Sequence, residues 1–235
     1  MLCDMLARTS VAGRPESYFH RSSIAGWEDA LSLPTLTGIA DDRRVGRVFA
    51  AVRATGSGGI CGIRLQGHGL GFFRDQLEAY RPDLESDRDR LEAAFGRVLV
   101  IHLSRADKVA QAVSHVKAEQ SGLWHAAPDG AELERLSPPR PLVYDPAAIE
   151  RKIAEFRAME TDWANWFDVT GITPHRIDYE TLASQPNHVL RGILEQLGQN
   201  PALADSVAAG TKRLSDQVSR AWQARYIAEH RNAAP

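Results

Sequence analysis

Apolar residues along the chain switch between two spacings, and the switches mark out the elements. In "MLCDMLAR", Leu2, Met5 and Leu6 recur at the three-to-four residue interval of an amphipathic helix, which Thr9, Ser10 and Gly13 then stop. The following "AGRPESYF" reads as a turn, and residues 21–55 are weakly patterned apart from "DDRRVGRVFAAVRA", which predicts a helix. Short apolar runs predict buried strands at "ICGIRL" (60–65) and "RVLVIHLS" (97–104). The second is the clearer, β-branched and bounded by Gly96 and Arg105. Helical spacing returns in "GLGFFRDQLEAY", in "SDRDRLEAAFG" and in "ADKVAQAVSHVKAEQSGLWH", where Asp107 is placed to cap the first turn.

The stretch "HAAPDGAELERLSPPRPLVYDPAA" is a proline-rich surface excursion. Asp145 and Pro146 open a long helix, as N-cap and first helical residue, that runs to about Val169 and stops at Gly171. "PHRIDYE" predicts a strand, "QPNHVLRGILEQLG" a helix ended by Gly198, and "SDQVSRAWQARYIAEH" a final helix. Strands separated by helices predict an α/β fold, a parallel sheet flanked by helices on both faces. Ligands of such sheets sit at the carboxyl ends of the strands.

Composition narrows the function classes. The 235 residues suit one α/β domain spanning 1–235, with variable loops at about 20–45 and 121–145. A net charge of -2 argues against a general nucleic-acid binder, though not against a local basic pocket. Cys3 and Cys61 form no CxxC pair and read as reduced thiols of a cytosolic protein. The opening helix, interrupted by Asp4 and Arg8, is a poor signal peptide, and no apolar run is long enough to span a bilayer, so a cytoplasmic location is the default expectation.

Candidate chemistry gathers at the expected strand ends. Arg105 falls just past the best strand and Ser114 nine residues on, in the next helix. A guanidinium fork and a hydroxyl there could converge on one anion, or be an ordinary surface pair. "TGSGGICG" resembles a phosphate loop, but its glycines precede a strand instead of opening a helix, so it reads as a flexible loop. Arg64 and His68 sit at and beyond the end of the 60–65 run. Glu16 and His20 sit in the turn after the first helix. Each carboxylate or imidazole is a candidate base for an acceptor hydroxyl. Lys212, Arg213, Arg220 and Arg225 add basic charge near the C-terminus, and Trp222 reads as a core residue of the final helix. Trp27 and Trp124 could stack on sugar rings or simply pack. No HExxH, GxSxG, GK[ST] or metal-ligand spacing occurs, which sets aside metal hydrolysis, nucleophile-elbow chemistry and P-loop kinases.

Taken together, "LCDMLARTSVAGRPESYF", "SRADKVAQAVS", "DWANWF" with "PHRIDYE", and "DQVSRAWQARY" resemble the Stf0-type sulfotransferases in order and spacing over most of the chain. The resemblance implies a P-loop-like α/β fold and transfer of a sulfuryl group from 3′-phosphoadenylyl sulfate (PAPS) to a hydroxyl of a carbohydrate or glycolipid. It maps an "RxDxxxQAxS" motif that holds the donor's 3′-phosphate onto Arg105 and Ser114, with Arg213 a further donor contact. The family's general base is a Glu in a "GxPxE[FY]F" pattern, and aligned on Gly13, Pro15 and Phe19 that position is Ser17, with Glu16 one residue early. Relatives also begin with a strand and a "TxRSGSTLL"-like loop around the 5′-phosphosulfate, so the chain is expected to be N-terminally short, lacking that first strand and loop. The contrasting expectation is a non-catalytic remnant or binding module that keeps the fold. Relatives include homodimers, and nothing in the sequence decides that point.

Overall fold

The computed structural model describes the chain apart from residues 20–22, 35, 37, 128, 209, 211–214 and 232–235, and the side chain of residue 231. His20, Lys212 and Arg213 therefore lie outside the described residues.

Two strands form the centre. β1 (Ile101–Ser104) and β4 (His175–Asp178) pair in parallel, with Ile101 opposite His175 and Ser104 opposite Asp178. Between them in sequence, β2 (Leu123–Ala126) and β3 (Glu132–Arg135) make an antiparallel hairpin. The alternation of side chains along a strand divides the parallel pair between two helical layers. On one face Ile101 and Ile177 pack with Met5 and Leu6 of α1 (Leu2–Arg8), Leu182 of α8 (Tyr179–Ser184), and Leu190 and Ile193 of α9 (Pro186–Gln196). On the other, His102 and Arg176 lie against Trp163 and Phe167 of α7 (Pro146–Thr170). The expected parallel sheet with helices on both faces is present.

A second apolar cluster joins α2 (Ile24–Ala30), α3 (Asp41–Ala54), α4 (Leu70–Tyr80), α5 (Asp87–Phe95) and the end of α7 around Trp27, Phe49 and Phe73. A third joins α6 (Lys108–Ser121), the start of α7 and α10 (Gln217–Arg231) around Val113, Ile149 and Trp222, giving Trp222 the core role expected of it. Trp27 is fully buried, which removes it as a sugar-stacking candidate.

Local chemistry sets the boundaries. Asp107 accepts a hydrogen bond from the Ala110 amide and starts α6; Asp145 does the same for Ala148 at α7, with Pro146 at the first helical position. Gly122, with φ of 72°, ends α6 in the left-handed conformation. The expected helix over 106–125 thus stops at Ser121, and "LWH" turns into β2. The long strand expected at 97–104 is ladder-paired only from Val100, whose carbonyl accepts from the His175 amide.

The strand expected over 60–65 does not form. The segment makes two isolated bridges, Ser57 with Ile60 and Glu16 with Ile63, and no ladder. An apolar run becomes a strand only where another backbone supplies its hydrogen bonds. Here the segment and β1 line one groove without pairing. α2, α8 and a 3₁₀ turn (Pro201–Ser206) are elements beyond those expected from the pattern.

Candidate functional site

The groove is a large concavity with a volume of about 2220 Å³. Leu99–Ser104 run along one wall and residues 60–68 along the other, with α1 residues Leu2 and Leu6 at one side and α6 and α7 side chains at the other. Leu103 of β1 remains 43% exposed, unusual for the middle of a parallel strand; among the described residues no strand pairs with β1 on the side away from β4.

Arg105 leaves β1 at its carboxyl end, and Ser114 projects from α6 near it. The two line one small cleft, shared with Tyr179 at the start of α8 and with Ser215, Ser219 and Gln223 at the start of α10, and both also line the groove. The guanidinium of Arg105 lies over the Tyr179 ring, 4.6 Å from its centroid, and Nε donates to Glu180 Oε1 at 3.3 Å. These contacts fix the plane of the fork but occupy only Nε. Among the described residues Nη1 and Nη2 have no hydrogen-bond partner, and neither has the exposed Ser114 hydroxyl. A guanidinium edge and a hydroxyl presented together can hold a planar or tetrahedral oxyanion.

The residues around this pair keep it in place. Lys108 Nζ donates to the Arg105 carbonyl oxygen and to Glu160 of α7, tying the strand end to two helices. Lys117 pairs with Asp216 at 2.6 Å and so holds α10 against α6. Burial disfavours the Asp216 anion, yet the Lys117 ammonium and the Ser219 amide and hydroxyl outweigh it and keep the carboxyl down at about 2. Tyr179, Glu180 and Lys108 are neighbours of Arg105 that sequence reasoning missed. Tyr179 and Glu180 stood inside the quoted "IDYE" run, far from Arg105 in sequence, and only the parallel pairing of β1 with β4 brings them to it.

The other candidates fall in different places. His68 is exposed in the 60–68 wall and lines the groove. Arg64 is exposed on the same wall, where its charge acts on the Met1 amino group, the Cys3 thiol and His125. Glu16 is exposed, paired loosely with Arg14 at 3.4 Å, and its carboxylate is not part of the groove wall, although its backbone carbonyl accepts from the Arg64 amide. Trp124 is half-buried and lines the groove.

His102 also lines the groove. Burial, and then the adjacent Arg176 charge, push its pKa down. Its Nδ1 lies 3.3 Å from Arg176 Nη1, a pure donor, so Nδ1 accepts and the neutral ring carries its proton on Nε2. In that tautomer His102 is a hydrogen-bond donor and not a base. No group of three or more His, Cys, Asp or Glu side chains able to hold a metal occurs among the described residues, and no helix there is long and apolar enough to cross a membrane.

Comparison with known proteins gives the family. The chain is 29% identical over 249 aligned positions to the trehalose 2-sulfotransferase of Mycobacterium tuberculosis (strain ATCC 35801 / TMC 107 / Erdman), an alignment covering 97% of this chain and 90% of that protein. It is 35% identical over 128 residues to the trehalose 2-sulfotransferase of Mycolicibacterium smegmatis (strain ATCC 700084 / mc(2)155), covering 54% of this chain and 45% of that protein. Residues 1–229 match the Stf0 sulphotransferase family, and with the Arg105–Ser114 pair standing at the carboxyl end of a parallel strand, the chain belongs to that family.

Proposed function

We propose that the protein transfers a sulfuryl group from PAPS to a carbohydrate hydroxyl, with a trehalose-like disaccharide as the first acceptor to test. The observation that carries this reading is the cleft at the end of β1, lined by both Arg105 and Ser114, where among the described residues only Nε of the guanidinium is hydrogen-bonded. In this reading they hold the donor's 3′-phosphate, with Arg213 as a further contact, and the donor's sulfuryl end extends into the groove toward Arg64.

The acceptor oxygen attacks sulfur, the bond from sulfur to the bridging phosphate oxygen breaks, and the electron pair leaves on 3′-phosphoadenosine 5′-phosphate (PAP). A base takes the hydroxyl proton. His68 is the base candidate that lines the groove, ahead of Glu16, whose carboxylate lies off it; His20 is the third. The chain's own cations oppose the negative charge that spreads over the transferring group, and no metal is needed for this scheme.

The unpaired edge of β1 fits a further parallel strand, and we propose that such a strand, leading into a loop of backbone N–H donors, completes the donor's 5′ end. The same open edge favours a second reading, a binding module that retains the 3′-phosphate site without turnover. Incubation of the 235-residue chain, and of a chain extended by any in-frame upstream codons, with ³⁵S-labelled PAPS and trehalose separates them. Label on the sugar from either chain supports transfer; nucleotide binding with no labelled sugar from either supports the binding module.

A further inference from the structure

The cleft at the end of β1 is lined on its α10 side by Ser215, Ser219 and Gln223. Ser219 and Gln223 are four residues apart on that helix and so share one face, a turn apart. Their hydrogen-bonding states differ. Ser219 is buried, and its hydroxyl is taken up by Asp216 Oδ1 at 3.1 Å. Gln223 is half-buried, and among the described residues its carboxamide is neither hydrogen-bonded nor sealed away.

The supports of this residue are rigid. Trp222, its neighbour in sequence, packs into the core with α6 and the start of α7, and Asp216 at the foot of α10 pairs with Lys117 of α6 at 2.6 Å. Across the cleft, Glu180 and Tyr179 fix the Arg105 fork. A neutral amide and a cationic fork therefore line one cleft, each on a fixed element.

The two groups ask for different partners. A guanidinium only donates, so it answers the charge of a phosphate and nothing beside it. A carboxamide donates from nitrogen and accepts at oxygen, so it is satisfied by an acceptor and a donor side by side. A 3′-phosphorylated ribose presents that pair. The phosphate oxygens on C3′ accept, and the 2′-hydroxyl on the adjacent carbon donates.

We propose that Gln223 is a specificity residue of this cleft, its amide nitrogen donating to the 3′-phosphate and its amide oxygen accepting from the ribose 2′-hydroxyl. The site then reads a 3′-phosphorylated ribonucleotide and not phosphate charge alone. This assignment rests on the sulfotransferase reading and extends it from the phosphate to the sugar that carries it.

Calorimetric titration of PAP, of its 2′-deoxy analogue and of 5′-AMP into the wild-type chain, Gln223→Leu and Gln223→Glu tests this. Wild type should bind PAP about fivefold more tightly than the 2′-deoxy analogue, a magnitude ordinary for one neutral hydrogen bond. Gln223→Leu should bind PAP about tenfold more weakly, ordinary for a bond to a charged group, and should bind the two bisphosphates equally. Gln223→Glu keeps the size and one acceptor but adds a charge, so it should lose more PAP affinity than Gln223→Leu. 5′-AMP, with no phosphate to anchor its ribose in the cleft, should bind all three proteins alike. A wild type that prefers PAP to 5′-AMP but does not distinguish PAP from the 2′-deoxy analogue would overturn the proposal and leave the phosphate site standing. So would a Gln223→Leu chain that keeps the distinction. Equal loss of all three nucleotides in both variants would show that Gln223 only packs, and would overturn it too. A wild type with no preference for PAP over 5′-AMP would overturn the phosphate site itself, and the proposal with it.

Discussion

The guanidinium of Arg105 stacks on Tyr179, 4.6 Å from the ring centroid, although the two residues are 74 positions apart. The stack holds the fork flat, and among the described residues its Nη edge has no hydrogen-bond partner. Tyr179→Leu should therefore weaken PAP binding by about 0.5–1 kcal/mol, the range of an exposed cation–π contact, through loss of orientation and with the charge intact. Titration calorimetry at fixed salt measures it, and an unchanged Kd would mean that Tyr179 does not position Arg105.

Glu180 plays two roles of opposite sign. Its Oε1 accepts from Arg105 Nε, which orients the fork, but its charge repels any phosphate held there. Glu180→Gln keeps an acceptor oxygen and removes the charge, so PAP should bind as tightly as before or tighter. Glu180→Ala removes both and should bind more weakly. The same effect from both variants would contradict the orienting role.

Glu28 is fully buried, and Arg44 and Arg47 reach it at 2.6 and 2.5 Å. Burial disfavours its charge, yet the Arg44 hydrogen bond outweighs that and its pKa is lowered. Glu28→Ala strands two half-buried guanidinium groups and should cost about 3 kcal/mol of unfolding free energy, read from urea denaturation. A loss below about 1 kcal/mol would show that the arginines simply turn to water.

His102, His115 and His125 all have pKa values lowered from 6.5, with burial the largest cause in each. The unfolded chain takes up protons near pH 6.5 that the native chain resists. Their contribution to stability is thus present above pH 6.5 and lost as pH falls toward the native values. The urea midpoint should drop between pH 7 and pH 5, and the drop should shrink in His102→Asn. A flat midpoint over that range would contradict the partial burial of His102 and His115, since His125 is half exposed.

The tie between α6 and α10 makes a smaller contribution. Asp216, held down at about 2 from 3.8, contributes stability that is complete above pH 4 and lost as pH falls through 2. Its side chain is 52% exposed, so solvent screening reduces the effect and Lys117→Met should cost about 0.5–1 kcal/mol at pH 7. Denaturation at pH 7 and pH 2 checks both magnitude and sign, since the difference between wild type and variant should shrink at the lower pH.

What the sequence disclosed follows from how local each signal is. Asp107, Asp145 with Pro146, and Gly171 act within one turn of their own helices, and the ends they mark are where the pattern places them. α2 escaped because its buried face includes Glu28, a charge whose partners come from α3, so the apolar spacing was broken by a tertiary pairing. Residues 60–65 read as a strand because they are apolar, but they have no ladder partner, and pairing is a property of two segments. Arg105 and Ser114 were legible as a pair because one strand end and one following helix fix their separation. Tyr179 and Glu180 were not, because their contacts with Arg105 depend on which strand lies beside β1.

The central claim is that Arg105 and Ser114 recognise a 3′-phosphate. Titration of PAP and of 5′-AMP, which lacks that phosphate, into wild type and Arg105→Ala tests it most directly. Loss of a charge-assisted bond costs about 1.5–3 kcal/mol, so wild type should prefer PAP by at least tenfold and Arg105→Ala should lose most of that preference while binding 5′-AMP as before. Equal affinity of wild type for the two nucleotides, or an undiminished preference in Arg105→Ala, would contradict it.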